Sequence, residues 1–280
     1  MQLLRMHSKV FAFIPRFPLF LFIVLTSSFA FSAEYYTVKE TSPALQDKAN
    51  DESIDPLSTI EVMMVSVADQ FMSLMDWQSH SEKLEDPAEP YRRLSQYGTW
   101  VTDPADGTCL NTRGRKLSEE SLVPVTLSPK GCTVISGKWI DPYSKKTYSQ
   151  ASDLDIDHMV PLKNSYVSGA WKWDFKKRCL YANFMHNNFH LFAVKDDDNK
   201  KKGDSSPEKF MPSDESYRCE YLTNWLKIKL IWNLTMTSSE GQAIETLATE
   251  NNCDLKSIAM SVRELRAQRQ EIVANIGLCE

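Results

Sequence analysis

Apolar positions along the chain repeat with distinct periods. From Ile60 to Met75, the residues Ile60, Met63, Met64, Val67, Phe71, Leu74 and Met75 recur every three or four positions, the spacing of one helical face. Ser58 and Glu61 precede them in capping-box order. The same period predicts a helix from Ser213 to about Trp232, with Tyr221, Leu222, Trp225, Ile228 and Trp232 on one face. A last helix is predicted over about 255–276, carrying Leu255, Ile258, Val262, Leu265, Ile272 and Ile276. Residues 95–152 read as irregular or β-rich, punctuated by Pro104, Gly107, Pro124, Pro129, Gly131, Gly137 and Pro142. Val123–Leu127 and Cys132–Ile135 are short strand candidates there.

The period changes at Asp153. Leu154 and Ile156 alternate with Asp153, Asp155 and Asp157, which in a strand puts three carboxylates on one face. Their mutual repulsion calls for a cation or basic neighbours. Pro161 closes the run, so Asp157 and His158 fall at a strand end. A second strand, HLFAV (His190 to Val194), leads into DDDNKKKGD (Asp196 to Asp204). This run is not an EF-hand loop: it lacks the glycine at the sixth place, and the twelfth ligand falls on Pro207. Acidic residues first and lysines last suit a short helix and its dipole, with Gly203 ending it.

Composition changes the picture at the N-terminus. Arg5, Lys9 and Arg16, the apolar run Leu19 to Leu25, and small residues up to Ala33 have the order of a signal peptide, expected over 1–33. The apolar run is shorter than the roughly 20 residues a membrane span needs. No stable membrane association is expected after cleavage, and the chain is expected to be secreted or periplasmic. All six cysteines lie beyond the signal, as in a disulfide-bonded exported protein. Sequence-local pairing joins Cys109 to Cys132, Cys179 to Cys219 and Cys253 to Cys279. The formal net charge is −5, and about −8 without the signal, so any phosphate-binding surface must be local.

The ordered segments SGKWIDPY (Ser136–Tyr143), SDLDIDHMVPL (Ser152–Leu162), SGAW (Ser168–Trp171), HLFAV, NKKKGD (Asn199–Asp204) and PEKFMP (Pro207–Pro212) resemble a secreted branch of the HNH, or His-Me finger, nucleases. The resemblance covers roughly 95–235. It implies an α+β fold in which a ββα-metal finger is embedded in a mostly helical domain, with the irregular or β-rich segment before it. The expected organisation is a signal peptide (1–33), a polar leader and helix (34–94), a nuclease domain (95–235) and a helical extension (236–280).

Residue by residue, the resemblance makes His158 the general base and Asp157 a metal ligand. His190 takes the middle position, more often asparagine in the wider superfamily, which holds the base and the two strands. Asn199 is a metal ligand on the finger helix. Lys200 stands where arginine is usual, which keeps a point charge but loses the planar fork. An oxygen-rich shell suits a divalent ion, Mg²⁺ before Zn²⁺, with Asp155 as a supporting or additional group. Arg178, Lys195, Lys200, Lys201 and Lys202 are candidate phosphate contacts. Trp171 and Trp173 fit core packing better than base stacking. The expected activity is hydrolysis of nucleic acid with low sequence preference, DNA before RNA. The alternative is a non-catalytic binding module that keeps the finger, which the acidic charge favours. A serine hydrolase is set aside because no G-x-S-x-G run occurs.

Overall fold

The computed structural model describes residues 84–255 and 260–279. The signal segment, the polar leader and the helix expected over 58–75 lie outside them. The described chain runs α1 (Arg93–Tyr97), α2 (Thr112–Glu120), β1 (Thr126–Leu127), β2 (Val134–Ile140), β3 (Thr147–Gln150), β4 (Leu154–His158), α3 (Leu162–Val167), α4 (Phe175–Asn183), β5 (Leu191–Lys195), α5 (Asp196–Lys202), α6 (Arg218–Ile231), α7 (Ser238–Glu250) and α8 (Val262–Ala274). The fold is α+β. Side-chain caps start several of the helices: Asn111 for α2, Asp174 for α4, Thr237 for α7, and a Ser261/Glu264 capping box for α8.

Two antiparallel sheets form among the described residues, β1-β2-β3 and β4-β5. The second sheet lies between two cores, and strand alternation explains how. Leu154 and Ile156 of β4, with Leu191 and Ala193 of β5, pack into a small core with Leu117, Val134 and Trp139. Phe192 and Val194 on the other face enter the large helical core. Asp155 and Asp157 pair across the strands with Val194 and Phe192, so they share that second face. Asp153 falls instead in the 3-10 turn before β4, outside the strand.

Helix α5 follows β5 without a gap. Its first turn carries Asp196, Asp197 and Asp198, its last turn Lys200, Lys201 and Lys202, and Gly203 ends it with φ of 52°. Helix α6 departs from the one-sided helix expected. Thr223, Asn224, Leu226 and Leu230 are buried as well as the expected Tyr221, Leu222, Trp225 and Ile228, so burial extends beyond one face. Its Lys229 is fully buried, where Asn164, Ser168, the Thr235 carbonyl and the Glu240 carboxylate satisfy the ammonium.

The disulfide pairing corrects the sequence-local expectation at two of three bonds. Cys109 joins Cys132 as expected, but Cys179 joins Cys279 and Cys219 joins Cys253. The 3-10 turn at Ile276–Cys279 packs back on α4, which separation along the chain does not reveal. Ile244, Ala248, Leu265 and Ile272 of the C-terminal helices belong to the large core. Among the described residues no helix is long and apolar enough to cross a membrane.

Candidate functional site

His158 ends β4, and its side chain is held by a helix end. The last four carbonyls of a helix lack partners within it. Two of these on α4, those of Tyr181 and Ala182, are bonded to imidazoles: His190 Nε2 lies 2.7 Å from the Tyr181 oxygen and His158 Nε2 lies 2.9 Å from the Ala182 oxygen. A carbonyl only accepts, so each Nε2 carries the proton and donates it. The tautomer of each neutral ring is thereby set, with the lone pair on Nδ1. The His158 ring lies almost parallel to the rings of Trp100 and Tyr181, whose centroids are 5.4 Å and 6.4 Å away. Burial pushes its pKa well below the usual histidine value, so the ring is neutral at neutral pH. His190 is pushed down to about 3 by the same cause.

The face of β4 opposite His158 meets α5. Asp157 is buried, and its Oδ2 accepts from the Tyr143 hydroxyl at 2.5 Å and from Lys202 Nζ at 2.6 Å. Lys202 also donates to the His158 carbonyl. Burial pushes the Asp157 carboxyl up, and the Lys202 ammonium beside it pulls it back. Both contacts fall on Oδ2; among the described residues Oδ1 accepts no hydrogen bond. One turn before Lys202, Asn199 Nδ2 donates to Asp155 Oδ2 at 3.1 Å, which leaves the amide oxygen as an acceptor.

Asp157, His158 and Asn199 line one cavity of about 270 Å³, together with Tyr91, Arg93, Ile156, Pro161, Leu162, Lys163, Gly203 and Asp204. His190 stands behind the wall, its ring edge-on to His158 at 6.2 Å. Three of the four residues expected at the centre thus reach one cleft, and the fourth supports it.

The expected phosphate contacts are distributed differently. Arg178 is not on the cavity: its guanidinium donates to the backbone carbonyls of Gln96 and Trp173. Lys202 is buried on Asp157. Lys195 and Lys200 both pair with Asp196, and Lys201 pairs with Asp198. Tyr91, Arg93, Trp100, Lys163 and Asp204 are site residues that the sequence did not single out. Asp204 ends the quoted NKKKGD run; the others come from segments with no motif, where contacts such as Gln96 to Tyr166 and Tyr97 to Ser165 place the N-terminal wall. Tyr143 lies inside a quoted motif, but nothing in that motif signals its bond to Asp157.

A hard divalent ion fits the donor set. Asp157 and Asn199, both lining the cavity, could offer a carboxylate and an amide oxygen to such an ion, and Mg²⁺ takes one or two protein oxygens and keeps waters for the rest. The described residues gather no cluster of three or more His, Cys, Asp or Glu side chains.

Residues 114–246 match the family described as GmrSD restriction endonucleases, C-terminal domain. An uncharacterized secreted protein of Arthroderma benhamiae is 39% identical over 168 residues, covering 60% of this chain and 78% of the relative. The chain belongs to one family with that secreted protein. No solved structure matches it.

Proposed function

We propose that this chain is a secreted, metal-dependent endonuclease that hydrolyses phosphodiester bonds of nucleic acid, DNA before RNA, with low sequence preference. One observation carries this: a neutral histidine, its Nε2–H fixed on a backbone carbonyl, lines the same cavity as a carboxylate and an amide oxygen. The family match to a restriction endonuclease domain and the name of the secreted relative point the same way. Three disulfides suit an oxidising compartment.

His158 Nδ1 takes a proton from water as the water oxygen bonds to phosphorus. The ring keeps its orientation because Ala182 holds the opposite nitrogen. Asp157 and Asn199 would hold the divalent ion, which would supply charge neutralisation of the phosphate and stabilisation of the leaving oxygen. Tyr143 and Lys202 fix one oxygen of Asp157, so the other has a single orientation. Asp155 fixes which end of the Asn199 amide presents its oxygen. Protonation of the leaving oxygen by solvent completes the hydrolysis. The buried Lys202–Asp157 pair also favours a second reading, a binding module, because the ligand carboxylate already has a cation beside it.

Plasmid digestion by the full chain separates the two. The wild type is expected to cut with Mg²⁺ and to stop with chelator. His158→Ala is expected to lose at least about 10²-fold in rate, the usual contribution of a general base. Cleavage that survives His158→Ala removes His158 as the base. Nucleic-acid binding without cleavage under any divalent metal selects the binding module.

A further inference from the structure

The proposed chemistry needs a cation that receives the phosphate, and the acidic chain offers few that are free. Two cations line the cavity, Arg93 and Lys163. Lys163 forms an ion pair with Asp204 at the same cavity wall. Arg93 has no carboxylate or hydrogen-bond partner among the described residues. It is exposed, and it shares the cavity wall with Tyr91 and His158.

The backbone that carries Arg93 is firmly held. Gln96 accepts from the Arg92 amide and donates to the Pro90 carbonyl and the Tyr166 hydroxyl. Tyr97 bonds to Ser165, the Tyr166 hydroxyl donates to the Glu89 carbonyl, and Arg178 holds the Gln96 carbonyl. These contacts anchor α1 to α4 and to α3, whose first residue Leu162 lines the same cavity. A long side chain on a fixed base is pre-organised for a ligand, and the guanidinium fork matches two phosphate oxygens. Residues 91–100 lie outside the stretch that matches the family, so this wall belongs to the chain's own N-terminal segment.

We propose that Arg93 is the phosphate-binding residue of the cleft, gripping a phosphodiester group of the nucleic acid beside His158. This rests on the nuclease reading above and names a residue that it lacks.

The test uses the full chain with its disulfides intact and a short labelled DNA duplex, with an RNA of the same sequence as a second probe. Binding is measured in chelator across a salt series, and cleavage in Mg²⁺. Arg93→Ala is expected to weaken binding roughly tenfold or more and to lower the salt slope by about one. Arg93→Lys is expected to restore the slope but not the full affinity. Arg92→Ala removes the same charge next door, outside the cavity, and is expected to change neither. If Arg93→Ala behaves like Arg92→Ala while the wild type still cleaves, Arg93 is overturned and the nuclease reading stands. If the wild type binds both probes without cutting and Arg93→Ala still weakens binding, Arg93 stands and catalysis falls. If the wild type neither binds nor cuts either probe, both fall.

Discussion

A histidine buried in neutral form makes stability depend on pH. The imidazoles of His158 and His190 sit below their unfolded value of about 6.5, His190 at about 3. Below 6.5 the unfolded chain therefore binds protons that the folded chain refuses, and stability falls as the pH falls. Each such group contributes a slope of up to about 1.4 kcal/mol per pH unit. Urea unfolding followed from about pH 7.5 down to about 5.5 is expected to show a falling midpoint, above the range in which carboxyls dominate. His190→Asn keeps a donor for the Tyr181 carbonyl and removes one titration, so its slope is expected to be shallower. An unchanged slope in that variant sinks the assignment of His190 as a buried neutral ring. At this scale alternation and local charge set the Asp-His pair apart along a few residues, whereas Asn199 was singled out only through the family resemblance. The holders of the two histidines were not legible. The carbonyls of Tyr181 and Ala182 lie 9 and 24 residues from the histidines they fix, on a helix whose sequence FKKRCLYAN has a weak apolar period.

The strand pair and the helix after it were the most legible elements, since a period of two, a charge gradient and a terminal glycine mark them within a short stretch. Short helices inside loop-like sequence were the least. Helix α2 falls in the stretch expected to be irregular or β-rich, α4 was not foreseen, and α7 was foreseen only as part of a helical extension over 236–280. In α2, TRGRKLSEE, the charged residues mask the two contacts that matter, Leu117 in the small core and the buried Lys116 on Glu120. Between α2 and the three-stranded sheet the packing leaves no room at Gly137. A Cβ there would meet Ser121 Oγ at 2.6 Å and the Trp139 ring at 2.7 Å. Trp139 cannot yield easily, because its indole donates to the Leu117 carbonyl at the end of α2. Gly137→Ala is accordingly expected to cost about 1–3 kcal/mol, the usual range for overpacking, measured as a lowered denaturation midpoint with an unchanged m-value. A neutral result shows that β2 shifts freely against α2.

At the scale of the whole molecule, the site depends on chain that lies far from it in sequence. The Cys179–Cys279 disulfide closes a loop with a separation of 100 residues, and its first cysteine sits on α4 just before the carbonyls that hold His190 and His158. The C-terminal segment is thus tied to the helix whose end holds His158. Local pairing of cysteines missed this because the return of the chain onto α4 is a product of helix packing. Removing the bond as Cys179→Ser/Cys279→Ser is expected to lower stability by about 2–4 kcal/mol, through the freedom returned to the unfolded chain. A second consequence separates a brace from a mere staple. If α4 shifts when the bond is lost, the two carbonyls move with it, and the orientation of the His158 ring loosens. Cleavage by the double variant is then expected to fall several-fold at a temperature where it is still fully folded, and nucleic-acid binding is expected to weaken with it, because α1, which carries Arg93, also rests on α4. Full activity in the folded variant shows that the bond stabilises the molecule without bracing the site.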